Sequence, residues 1–190
     1  NIVLAGNIGE AQDIPAVLAA AEKLKSDPRI RWLIVGDGHK SPWLADEVER
    51  LGIEKSVLLL GRHFLERMPS FYAHADALLV SLKIAPAFSR TIPAKIQTYL
   101  MSGIPILGML DGEGAAVIEQ ANAGLTCPAG DFAALAAAVQ KLAAMDESER
   151  RIMGKNGRRY AKLEFGREML LGKLEGFFEK AAVIYSNRGK

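Results

Sequence analysis

Apolar and polar positions alternate along this chain in two registers. Short, mostly apolar runs of three to six residues recur at Ile2–Ala5, Ile30–Val35, Val57–Leu60, Ala77–Ser81, Ile104–Leu107 and Leu125–Cys127. Runs of this length suit strands covered on both faces, which read as continuous rather than alternating hydrophobic stretches. Between them lie segments with helical spacing: about Asp13 to Lys25, Trp43 to Leu51, Glu66 to His74, a helix starting at Pro93, Ala115 to Ala121 and Phe132 to Ala144. Asp13 is placed as an N-cap with Pro15 in the first turn, and Gly52 and Gly103 stop the helices before them. From Glu147 onward the spacing is helical only, with one helix to about Phe165 and another from about Arg167 to Tyr185. The tail Ser186 to Lys190 is expected to fray.

Six strands alternating with helices predict an α/β fold with a doubly wound, parallel, six-stranded Rossmann-like sheet and extra C-terminal helices. The expected strand order is 3-2-1-4-5-6, with ligands bound beyond the carboxyl ends of the strands. The glycine-marked turns Gly6-Asn7-Ile8-Gly9, Gly36-Asp37-Gly38, Gly61 and Asp111-Gly112-Glu113-Gly114 all fall at that edge. The longest irregular segment, about Leu82 to Thr91, falls there too. Residues 1–165 form the predicted ligand-binding domain, and 166–190 a helix reaching beyond it. The chain opens in mid-strand without a methionine, which predicts a piece of a longer protein.

The run from Ser89 to Gly108 is the most informative. Pro93 suits a first helical position, Ile96, Leu100 and Met101 supply an apolar face, Gly103 ends the helix and Pro105 prevents its resumption. Lys95 is the only full cation in that helix. A helix start bearing a lysine offers backbone N–H groups and charge to a phosphate; Thr91 and Thr98 add polar groups nearby. Gly9 and its neighbours offer amides at the first turn, while Arg62 and His63 follow strand three. Lys83 and Arg90 lie on the long loop, and Glu113 begins the next helix, where a carboxylate suits the dipole even without a ligand.

Composition narrows the chemistry. At 190 residues, 49% hydrophobic, the chain can bury a substantial core. A net charge of +2 is too small to indicate nucleic acid. The single cysteine, Cys127, excludes an internal disulfide and a cysteine zinc cluster. His39, His63 and His74 lack ligand spacing, so no metal or cofactor is expected. Gly6-Asn7-Ile8-Gly9-Glu10-Ala11 does not meet the dinucleotide fingerprint, and no P-loop pattern occurs. No apolar run approaches the roughly 20 residues of a membrane span.

Four segments in order carry a resemblance: the first Gly-Asn-Ile-Gly turn; Phe71-Tyr72-Ala73-His74-Ala75-Asp76; Pro93 through Pro105; and Gly124 through Asp131. Together they resemble the C-terminal, donor-binding half of retaining GT-B glycosyltransferases of the group-4 type, common in bacterial surface-polysaccharide synthesis. The resemblance implies a half-domain that binds a nucleotide-sugar, usually UDP-linked, against the amides of Thr91 to Ala94, with metal dispensable. It also implies an N-terminal acceptor-binding domain elsewhere in the parent chain, toward which the last helix crosses. Cytoplasmic residence follows, with peripheral membrane association through the parent protein.

That family's usual motif has two glutamates eight positions apart. Counting back from Gly103, those positions hold Arg90 and Thr98. Its first-turn arginine and lysine are replaced by Asn7 and Gln12, so Lys95, Lys83 or Arg90 must supply the positive charge. The Pro-Ala-Lys-Ile-Gln-Thr-Tyr-Leu run resembles a subgroup handling N-acetylated amino-sugar donors in lipopolysaccharide assembly. The donor-binding set is therefore Asn7, Gly9, Arg62, His63, Lys83, Arg90, Thr91, Lys95, Thr98 and Glu113, with no catalytic residue assigned. Two other readings stay open: a nucleotide-sugar epimerase of the same architecture, and a scaffold domain that has lost donor binding.

Overall fold

A computed structural model of the chain describes residues 1–188. The strands are β1 Ile2–Ala5, β2 Trp32–Val35, β3 Val57–Gly61, β4 Ala77–Ser81, β5 Ile106–Met109 and β6 Gly124–Cys127. The helices are α1 Ile14–Lys23, α2 Ser41–Leu51, α3 Met68–Ala73, α4 Pro86–Ser89, α5 Ala94–Ser102, α6 Glu113–Gln120, α7 Phe132–Ala144, α8 Glu147–Glu164 and α9 Arg167–Arg188. The six strands form one sheet in the order β3-β2-β1-β4-β5-β6, every neighbouring pair parallel. This is the predicted topology, and its order reverses between β1 and β4, the switch point where such sheets open a crevice.

Two-residue periodicity divides the core between the faces. Ile2, Leu4, Trp32, Ile34, Leu79 and Met109 pack with α1, α2 and α7 on one side. Val3, Ala5, Val35, Leu78, Val80 and Ile106 pack with α5, α6 and α8 on the other. Because both faces are covered, every position of β1, β4 and β5 is buried. The edge strands are less covered: β3 exposes Leu58 and Leu59, and three of the four positions of β6 are half-buried.

Five local expectations need correcting. The segment between β4 and α5 is not wholly irregular, since Pro86 starts the one-turn helix α4. Pro93 is the N-cap of α5 rather than its first residue, held extended at φ −57°, ψ 132°. On α5 the buried set is Ile96, Tyr99 and Leu100, whereas Met101 is exposed; the tyrosine takes the place expected of the methionine. Asp13 precedes α1 but stands in the left-handed region at φ 47° and makes no side-chain cap bond. Strand β5 also starts at Ile106, two residues late, because Pro105 lacks the N–H a ladder position donates. At the carboxyl end α9 runs through Ser186 to Arg188, while Gly189 and Lys190 of the expected tail lie outside the described residues.

Candidate functional site

Glycines let the strand ends meet closely at the carboxyl edge. Gly6 follows β1 at φ 127°, a conformation that disfavours any side chain. Its N–H donates to the Val35 carbonyl at 2.8 Å, and Ile8 N–H donates to that of Asp37 at 2.9 Å, so the β1 and β2 turns lie side by side. A cleft of about 820 Å³ opens beside them, lined by Gly6, Asn7, Asp37, Arg62, His63 and Met68 among others. That volume lies within the range of small-molecule sites. Asn7, Arg62 and His63, predicted separately from three turns, thus share one cavity wall.

Two of the cleft's polar side chains are fixed in place. His63 has its Nε2 3.0 Å from the Leu60 carbonyl and its ring against Phe71 at 4.8 Å. Asp37 accepts from the Gly38 N–H at 2.7 Å. The Ser41 hydroxyl, that N–H and the nearby Arg62 charge together hold its carboxyl below the usual range.

Lys95 reaches this edge from α5, which packs on the same face of the sheet as Met68 and Phe71. It lies on the first turn of α5, and a Cβ built on Gly6 would stand 3.2 Å from its Nζ. The side chain is half-buried, and desolvation pulls its pKa from 10.5 down to about 8. An ammonium kept from water beside a helix N-terminus favours an anion that can restore its lost stabilisation.

The remaining predicted residues fare differently. Gly9 N–H donates to Gln12 Oε1 at 3.0 Å, which closes the first turn on itself. With Gly6 and Ile8 also paired, three of that turn's amides are committed within the protein. Thr91 folds back onto α4: its N–H donates to the Phe88 carbonyl at 3.4 Å, and its hydroxyl lies 3.3 Å from the Ala87 and Phe88 carbonyls. Arg90 ends α4 and is exposed. Thr98 opens onto a separate groove of about 520 Å³ between α5 and the end of α8, with Met101 and Phe165. Lys83 is exposed just past β4, its N–H on the Ala11 carbonyl at 2.9 Å. Glu113 is exposed at the first position of α6. Gly112 before it has φ 73°, and a side chain there would overlap the Ser89 carbonyl, so the α4 and α6 ends are in contact.

Sequence reading missed two features. Glu10 pairs with Lys40 Nζ at 2.7 Å and lies near His39 and Lys83, which lowers its carboxyl pKa. Its partners are 29 or more positions away, so no local signal marked this cluster. Tyr99 contacts the backbone of β1, and its spacing of four from Lys95 on one helix was a usable sign. Cys127 is buried and its thiol is pushed up to about 11, chiefly by burial, so it stays protonated. Among the described residues no cluster of three or more His, Cys, Asp or Glu side chains could hold a metal ion.

A six-stranded parallel sheet of this order, with helices on both faces, defines the Rossmann-like half-domain of GT-B proteins. Residues 1–145 match the family described as Glycosyl transferases group 1, and the chain belongs to that family. It is 26% identical over 173 residues to the N-acetyl-alpha-D-glucosaminyl L-malate synthase of Bacillus anthracis, covering 90% of this chain and 43% of that protein. Among solved structures it is similar to a mutant of S. aureus TarM in complex with fondaparinux, alpha-GlcNAc-glycerol and UDP. The TM-score is 0.80 at 17% identity, over 93% of this chain and 35% of that one. Anabaena HepE in complex with UDP gives a TM-score of 0.79 at 16% identity, over 94% and 48%. The C-terminal domain of LpcC from Francisella tularensis gives 0.70 at 15% identity, over 87% and 86%. The chain thus spans less than half the length of the Bacillus anthracis synthase, TarM and HepE chains, and most of the isolated LpcC C-terminal domain.

Proposed function

We propose that this chain is the donor half of a glycosyltransferase and binds a UDP-sugar, with the nucleoside in the cleft of Asn7, Arg62 and His63 and the diphosphate against the start of α5. The single observation that carries this reading is Lys95, a desolvated ammonium beside Gly6 at the sheet's switch point. Relatives of the same fold have been solved with UDP, which supports the choice of base. Transfer with retention of configuration, an amino-sugar donor and a role in surface-polysaccharide or lipopolysaccharide synthesis are the finer parts of the proposal. They rest on the Pro93–Pro105 run and on the GlcNAc chemistry named for two relatives.

The acceptor would be held by a second domain of the parent protein. Helix α9 supports this, because Leu170, Leu171, Leu174, Phe177 and Phe178 are all exposed along it. An apolar surface of that kind marks an interaction site. No helix among the described residues is long and apolar enough to cross a membrane; cytoplasmic residence, with contact to the membrane made by the parent protein, completes the reading.

One observation favours the scaffold alternative: the Gly9 and Thr91 amides are spent internally, and Arg90 and Thr98 stand where the resemblance expects carboxylates. A thermal-shift series separates the two. A ligand that binds only the folded state raises the melting temperature, so UDP and UDP-sugars are expected to stabilise the domain, with binding of about −4 to −8 kcal/mol. Stabilisation by no nucleotide at all would leave the scaffold reading in possession.

A further inference from the structure

The ladder between β1 and β4 is shorter than those beside it. β1 meets β2 at four residues, Ile2 to Ala5, but meets β4 only at Ile2 and Val3. In a parallel sheet alternate residues turn their backbone groups to opposite neighbours. Gly6 N–H turns to β2, where it reaches the Val35 carbonyl, so Ala5 turns toward β4. What it meets there is the hydroxyl of Tyr99. Ala5 N–H donates to the Tyr99 oxygen at 3.2 Å, and the hydroxyl donates back to the Ala5 carbonyl at 3.4 Å.

The ring behind this hydroxyl is fixed. Tyr99 is fully buried and lies edge-on to Tyr72, with centroids 5.7 Å apart. Burial pushes its pKa well above the usual value, so the hydroxyl keeps the proton it donates. Lys95 sits one turn earlier on the same face of α5. One helix therefore inserts two side chains into the gap, a hydroxyl at Ala5 and an ammonium at Gly6.

We propose that Tyr99 is a positioning residue: its hydroxyl takes the place of β4 on Ala5, holds β1 and β4 apart at the carboxyl edge, and so keeps open the gap in which the Lys95 ammonium meets a bound diphosphate. The ligand part of this proposal rests on the nucleotide reading above. Without the hydroxyl, Ala5 has two buried polar groups to satisfy. Either the strands zip further or water enters, and both outcomes shift Lys95.

The test compares the wild-type domain, Tyr99→Phe, Lys95→Ala and the double variant by calorimetry with UDP and with uridine. Tyr99→Phe is expected to weaken UDP about tenfold and uridine less than twofold. The double variant is expected to bind UDP no more weakly than Lys95→Ala alone, because the hydroxyl acts through the lysine. Tyr72→Phe, which alters the neighbouring ring, should leave UDP within twofold. An NMR titration of the Lys95 ammonium supplies a readout that needs no nucleotide: its midpoint should move in Tyr99→Phe, upward where water enters and further down where the strands zip. Unchanged UDP affinity in Tyr99→Phe, or losses that multiply in the double variant, would overturn the proposal. Should the wild type bind no UDP, the nucleotide reading fails, and an unchanged Lys95 midpoint in Tyr99→Phe would then overturn the positioning role as well.

Discussion

Two segments at the carboxyl edge both carry residues predicted to bind the donor and differ in what they leave available. The turn after β1, Gly6 to Gln12, is rich in glycine, yet its Gly6, Ile8 and Gly9 amides are bonded to Val35, Asp37 and Gln12. The start of α5 offers fewer glycines but a lysine whose charge is half stripped of water. Backbone flexibility thus marks where chains approach, whereas an uncompensated charge marks where a ligand is wanted. The difference teaches that a replaced cation in one turn need not be replaced in the same turn.

Removing the α5 charge is the strongest way to break this contrast. Lys95→Ala is expected to weaken UDP about 10- to 100-fold, the range of a hydrogen bond to a charged group, about 1.5–3 kcal/mol. Uridine, which lacks phosphate, should be unaffected, and equal losses for both would move the lysine out of the phosphate site.

Acidity sharpens the same point with two opposite signs. Lys95 holds its proton to about pH 8 in the folded chain and to 10.5 when unfolded. Between those values the unfolded state binds more protons, so this group's contribution to stability rises with pH. UDP affinity should fall severalfold over the same interval as the ammonium is lost. Denaturant melts and calorimetry from pH 7.5 to 9.5, repeated on Lys95→Met, check both trends, which the variant should abolish.

Gly6 joins the two regions. Gly6→Ala places a side chain at φ 127° and against the Lys95 ammonium, for an expected loss of about 1–2 kcal/mol in urea unfolding. The smallest effect is reserved for the β1 turn. Gln12→Ala frees the Gly9 N–H at a cost of about 1 kcal/mol in stability, while UDP affinity should change less than twofold. A tenfold change in that variant would restore the β1 turn as a principal phosphate contact.

Much of this was legible in the residues. Six apolar runs and their glycine stops predicted the sheet and its order, because strands buried on both faces leave an unmistakable hydrophobic signature. Asn7, Arg62 and His63 were predicted from the turns that bear them, and those turns do converge. What could not be read was the allocation of hydrogen bonds. That Gly9 serves Gln12, that Thr91 serves α4, and that Glu10 faces Lys40 depend on side-chain directions set only when the whole sheet is assembled. Met101 and Tyr99 illustrate the same limit within one helix, since both fit the apolar spacing and packing alone decided between them.

A crystal structure of the domain soaked with UDP bears most directly on where the anion lies. The diphosphate should rest at the start of α5, with an oxygen within about 3 Å of Lys95 Nζ and the nucleoside in the cleft of Asn7 and Arg62. Nucleotide bound at the opposite, amino edge of the sheet, in the cavity that Ile2, Arg29, Ala77 and Arg150 help to line, would contradict it.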